Sequence, residues 1–121
     1  MKYWIISSID CLPQYGQYND IVKVIHWRRC NEIIYNDIKY YADIFGAQNI
    51  ELNDIENFIP YYNLTFQDIC QWLENYIDLK SIDNELDIQI NNKINPPIIQ
   101  LPLPWNKNIQ NDLDNSIDTN S

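Results

Sequence analysis

The chain is expected to be an α+β protein: a three- to four-stranded antiparallel meander, then two amphipathic helices, then an extended proline-rich arm. Three observations predict this. The first half carries β-branched and aromatic runs, one of them alternating with a period of two. The second half switches to apolar residues spaced three and four apart. Four of the six prolines then crowd between Pro96 and Pro104.

Tyr3 to Asp10 is apolar and aromatic and stops at Cys11-Leu12-Pro13, so it reads as the first strand. Pro13 to Asp20 supplies turn residues. Ile21 to Arg29 is long and β-branched and reads as the second strand. Asn31-Glu32 is expected to turn the chain. Ile38, Tyr40, Ala42 and Ile44 then alternate with Lys39, Tyr41, Asp43 and Phe45 up to Gly46, the pattern of a third strand. A fourth short strand is expected around Ile50 to Leu52, and Asn53 to Asn63, with Pro60 inside it, reads as a loop. Short links between consecutive strands favour antiparallel neighbours.

Ile69, Trp72, Leu73, Tyr76 and Ile77 define one helical face after Thr65, which with Asp68 approximates a capping box. Ser81 is positioned to cap a second helix bearing Ile82, Leu86, Ile90 and Ile94. Pro96 disfavours helical geometry at Asn95 and ends it. Such helices must bury a face, and the sheet is the available surface. The organisation expected is an α+β domain over 1–95, an extended arm over 96–105 and an acidic, disordered tail over 106–121.

The arm is the element that points to function. Pro96, Pro97, Pro102 and Pro104 remove donors and fix φ, which excludes a helix or a central strand. In polyproline II geometry Asn95–Trp105 reaches about 34 Å at roughly 3.1 Å per residue. Ile98, Ile99, Leu101, Leu103 and Trp105 are too apolar for a solvated linker, so the arm needs a groove on its own domain or on a partner. Truncation after Asn95 would then lower stability if the arm packs on its own chain, and abolish partner binding if it docks elsewhere.

Charge and composition exclude several classes. With 8 Lys and Arg against 17 Asp and Glu, the net charge of −9 argues against nucleic-acid binding. Apolar runs are too short for a membrane helix, and Asp10 interrupts the apolar stretch that a signal peptide would need. Synthesis in a cytoplasm is therefore expected. Cys11, Cys30 and Cys70 form no CxxC pair and are expected to be reduced thiols. With only Gly16 and Gly46, no glycine-rich phosphate loop is possible. Enrichment in Ile, Asn, Asp and Tyr with little Gly and Ala matches AT-rich codon usage.

His26-Trp27-Arg28-Arg29 holds the only histidine and both arginines. On a strand, His26 and Arg28 face one side and Trp27 and Arg29 the other. A general-base role for His26 lacks a nucleophile at motif spacing. A metal site with Cys11 or Cys30 lacks a second histidine and zinc-type ligand spacing. The favoured reading packs Trp27 in the core and pairs Arg28 and Arg29 with carboxylates on a neighbouring strand or subunit. Asp83 and Asp87, with Glu85 between them, are half of an acidic metal site at most and read as a solvated helix face. The many tyrosines suit either half-buried sheet packing or an interface.

Several blocks in combination resemble a family of small uncharacterised proteins of tailed bacteriophages. They are Trp4-Ile5-Ile6, Asp10-Cys11-Leu12-Pro13, Val24 to Arg29, Ala42 to Gly46, Asn95 to Ile98 and Leu101-Pro102-Leu103-Pro104-Trp105. Family members are chains of about this length that end at or shortly after Pro-Leu-Pro-Trp, so the resemblance covers roughly residues 3 to 105. That family has no assigned activity, so no residue inherits a catalytic role. The resemblance implies a phage origin. The resulting expectation is a non-enzymatic virion component, capsid-associated or a tail or connector subunit. It would contact phage structural proteins or its own copies through sheet edges, the arm Pro96–Trp105, Arg28 and Arg29. No cofactor, metal, nucleic acid, membrane or small-molecule substrate is expected. An assembly chaperone or host-factor inhibitor is the second reading and a small enzyme the third.

Overall fold

The structure is a computed structural model that describes residues 1–52 and 58–106. Three strands, β1 (Lys2–Tyr15), β2 (Tyr18–Tyr35) and β3 (Ile38–Asn49), form one antiparallel sheet in the order β1-β2-β3. Two helices follow, α1 (Phe66–Tyr76) and α2 (Leu79–Ile94), which pack on one face of the sheet. The α+β architecture is as the sequence predicts. Among the described residues no helix is long and apolar enough to cross a membrane.

The strands run longer than expected, and both turns lie elsewhere. Asn31-Glu32 does not turn: Asn31 is buried opposite Ala42, and Glu32 stays in the ladder opposite Tyr41. The chain reverses at Asn36-Asp37 instead, where φ is 51° and 65°. Asn and Asp tolerate this left-handed region, and paired positive φ values match the twist of a two-residue hairpin. The first hairpin turns at Gly16-Gln17, where Gly16 has φ 62°. Pro13 therefore sits inside β1, not in a turn. It is tolerated there because β1 is an edge strand, where a missing donor breaks no ladder. No fourth strand forms at Ile50 to Leu52; the Ile50 amide bonds the Lys23 carbonyl at 2.8 Å, just beyond the end of β3.

The two ladders differ in regularity. β2–β3 keeps one register throughout, whereas β1–β2 shifts between Ile6 and Ser8 and again between Asp10 and Cys11. Extra residues of this kind bend a strand and spoil its outer edge for pairing. Gly46 lies within β3, not at its end, directly opposite Trp27. A Cβ at Gly46 would stand 2.8 Å from Trp27 Cζ2, so the glycine makes room for the indole.

Both helices start on side-chain caps. Thr65 Oγ1 accepts from the Asp68 amide at 3.1 Å and Asp68 Oδ2 accepts from the Thr65 amide at 3.0 Å, completing the expected capping box. The second cap is Asp78, which accepts from the Ser81 amide at 3.3 Å; Ser81 lies inside α2 and is not its cap. The main core joins Trp4, Ile25, Trp27, Ile69 and Leu73, with Trp4 and Trp27 edge to face at 5.6 Å. A smaller cluster holds Leu86 and Ile90 against Ala42, with Ile82 and Ile94 alongside, the face predicted for α2.

After Ile94 the arm leaves the domain without helix or strand, closing in a 3-10 turn at Pro104–Asn106. Another 3-10 turn, Tyr61–Asn63, lies in the region expected as a loop. The expectations for 53–57 and for the tail from 107 onward fall outside the described residues.

Candidate interaction site

Alternation along β2 sorts the His26–Arg29 cluster as the strand period requires. Trp27 is buried under the helices, and Arg29 reaches from the same face to α2. Its Nε and Nη2 donate to Asp83 Oδ1 and Oδ2 at 2.9 and 3.1 Å, a bidentate fork, and its guanidinium lies 5.0 Å above the Trp4 ring. Two further ties join this face to the helices: Trp4 Nε1 to Glu74 at 3.2 Å, and Lys2 to Asp87 at 2.9 Å. Asp83 departs from the expected solvated face, being partly buried against Arg29, whereas Glu85 and Asp87 are exposed as expected, Asp87 pairing with Lys2 at the sheet margin. Arg29 is engaged within the chain and nearly enclosed. That placement makes it a cross-layer anchor.

Among the described residues no helix covers the opposite face of the sheet. Arg28 pairs there with Asp43 of β3 and stacks 5.1 Å from the Phe45 ring. Tyr41 Oη lies 3.2 Å from the Cys30 sulfur and 3.0 Å from Asp43 Oδ2, with its single proton shared between the two contacts. Tyr3 Oη donates to Glu32, which also pairs with Lys39 at 2.9 Å. Cys30 is fully buried although it lies on this open face, opposite Tyr3 and Asp43, with the Tyr41 phenol over it. The hydrogen bond from Tyr3 holds the Glu32 carboxyl below its usual value, with Lys39 adding to the effect. The same bond, with partial burial, pushes the Tyr3 phenol up to about 12. Tyr41 is likewise raised, first by its bond to Cys30 and then by burial and Asp43. Phe45 remains 71% exposed amid this network.

His26 also projects onto the open face, its Nε2 2.7 Å from Asp10 Oδ2. Ser8 lies directly across from it in the ladder, a neighbour that the sequence reading did not bring to His26. Among the described residues Ser8 makes no hydrogen bond to the ring, and all three groups lie on an open sheet rather than in a cleft. Cys30 is four residues along the same strand, about 13 Å away at roughly 3.3 Å per residue, too far to share a metal with His26. Cys11, Cys30 and Cys70 are unbridged thiols. Burial, the first cause for both, pushes the Cys11 and Cys70 thiols up. Among the described residues no three His, Cys, Asp or Glu side chains converge as a metal-ligand set.

The arm is a continuous exposed run of largely apolar residues. Pro96, Pro97, Pro102 and Pro104 are exposed along with every large apolar residue between them. Ile98 is 87% and Trp105 75% exposed, with Ile99, Leu101 and Leu103 also exposed. The structure thus places the arm away from its own core, and of the two sequence-predicted arginines it leaves only Arg28 on an open surface.

The described residues thus form a small α+β domain with one sheet face free of helices and an exposed apolar arm. The family model for a domain of unknown function, DUF7936, matches residues 2–105, and the chain belongs to that family. The match runs through the arm to Trp105, so the arm is part of the family unit. No curated protein and no solved structure matches the chain.

Proposed function

We propose that this chain is a non-enzymatic structural protein of a tailed bacteriophage, a capsid-associated, connector or tail subunit that fastens to neighbours through its proline arm. The observation that carries the reading is the arm itself: five large apolar side chains, Ile98 to Trp105, stand in solvent on their own domain. Exposed apolar surface of this kind is characteristic of segments that are covered in an assembly. The resemblance of its sequence blocks to small phage proteins supports the setting. β3 is the second candidate contact. It is a regular edge strand, without the proline and register shifts of β1, although Lys93 Nζ already takes the Tyr41 carbonyl.

The test is mass spectrometry of purified particles from the phage that encodes the chain. The expected result is a stoichiometric amount, lost when the phage carries Trp105→Ala. Absence of the wild-type chain from particles would overturn the reading. If capture from infected cells then recovered one scaffold or host protein, the assembly-chaperone or inhibitor role would replace it.

A further inference from the structure

We propose that a groove beside the β1–β2 hairpin receives the proline arm of a second copy of this chain. This rests on the reading of the arm as a contact element and names what it contacts. Two hollows of about 390 and 280 Å³ adjoin there and share Asp20 and Phe58. The larger has an apolar floor of Ile21, Val22, Ile50 and Leu64, with Trp72 and Tyr76 on its wall. The smaller is walled by aromatic rings. Tyr18 and Phe58 lie 4.7 Å apart, and Tyr61 and Tyr62 meet edge to face at 5.1 Å beside Pro60. Tyr62 is 88% exposed, an aromatic held out on a 3-10 turn against the ring of its neighbour Tyr61.

This is the chemistry that binds proline-rich segments. Aromatic walls accept pyrrolidine rings and the apolar residues between them, and a polyproline strand loses little conformational entropy on docking. Trp105 supplies one large ring for the deeper hollow, where such a side chain buries about 150–250 Å². Charge agrees as well. Asp20 and Glu51 stand on the lining of the larger hollow. The arm is uncharged from Asn95 to Asn106, so the docked segment itself adds no like charge against the acidic lining, and the net-acidic residues beyond it would lie outside the groove.

Span argues for a second copy over the chain's own arm. The arm is rooted at Ile94, which packs with Leu86, Ile90 and Ala42 near Ile33 and Tyr40. The groove begins at Val22, at the other end of β2. Val22 and Ile33 are about 36 Å apart along the strand at roughly 3.3 Å per residue. Asn95–Trp105 covers about 34 Å in polyproline II geometry at roughly 3.1 Å per residue. Doubling back would use the whole arm in transit and leave none to lie in the groove. An arm delivered from a neighbour has no such limit, and reciprocal exchange would close a two-fold pair.

The experiment uses the full chain in light scattering and sedimentation across concentration. Wild type is expected to self-associate, and Trp105→Ala in the arm or Tyr62→Ala with Glu51→Lys in the groove to weaken association at least about tenfold. Both changes are on exposed residues, so melting temperatures should stay near wild type. Mixing the arm variant with the groove variant should recover part of the association as a one-to-one pair, because one of the two reciprocal contacts is then intact. Monomeric wild type, or groove variants that associate like wild type, would overturn the inference. If Trp105→Ala alone blocked entry into particles while the groove variants entered normally, the arm would dock on another protein. The proposed function would then stand without this groove. A pair that forms in solution while the chain is missing from particles would leave the groove and remove the proposed function.

Discussion

The two faces of the sheet are built from alternate residues of the same three strands, yet they are held by different physics. On the inner face, Trp4, Ile25 and Trp27 bury against α1, and Arg29 crosses the layers to Asp83. On the outer face, Arg28, one position earlier, pairs sideways with Asp43 on the next strand, and Phe45 beside it faces solvent. Burial does the stabilising on the first face. The second is organised laterally by polar pairs that keep an uncovered surface in order. Position in the alternation, not residue type, decides which role an arginine or an aromatic takes.

The sharpest way to break that contrast is to truncate one apolar side chain on each side of the sheet. Leu73→Ala, at a fully buried position on α1 packed against the inner face, is expected to cost about 2–5 kcal/mol from lost burial plus the cavity left behind. Phe45→Ala on the outer face should stay within about 0.5 kcal/mol, because little surface is removed from water there. Chemical denaturation of the two variants checks this. Equal losses would mean that the outer face is packed in solution, for instance in a dimer.

The arginines offer the same comparison at smaller scale. Arg29→Ala leaves Asp83 half-covered without its fork and uncovers Trp4, and is expected to cost about 2–3 kcal/mol. Arg28→Ala, where the arginine itself lies nearer solvent than Arg29, should cost no more than about 1 kcal/mol. Adding Asp83→Ala to Arg29→Ala should recover part of the loss, since it removes the stranded carboxylate. Denaturation midpoints of the three variants against wild type decide it, and equal costs for the two arginines would refute the cross-layer role of Arg29.

Much of this contrast was legible in the sequence, and what was missed shares one cause. The helix faces Ile69–Leu73 and Ile82–Leu86–Ile90 follow from spacing alone, because a helix fixes which residues share a side. The His26–Arg29 alternation follows from the strand period in the same way. The arm is legible because proline leaves few alternatives. The turn at Asn36-Asp37 was misplaced to Asn31-Glu32 because both pairs carry turn chemistry, and only the buried place of Asn31 in the ladder distinguishes them. Ties such as Arg29–Asp83 and Trp4–Glu74, and a groove assembled from Tyr18, Phe58, Tyr62 and Trp72, join residues far apart in the chain. Local periodicity carries no information about such pairings.

The smallest expected effect tests whether the outer face is ordered by its hydrogen bonds. Tyr3 and Glu32 share one bond, and the bond shifts the two groups in opposite directions. Glu32, held low, contributes its stabilisation above the ordinary carboxylate range and loses it as pH falls through the lowered value. Tyr3, raised to about 12, contributes below its ordinary value near 10 and loses it as pH rises from there through about 12. The pair is thus fully formed between those two limits. Tyrosine absorbance titration of wild type minus Tyr3→Phe, within the pH range where circular dichroism shows the fold intact, should reveal a phenol still largely neutral at pH 11. A missing phenol that titrates near 10 would mean that the bond is not kept in water. In that case the open face would be a set of independent side chains, and its contrast with the inner face would rest on burial alone.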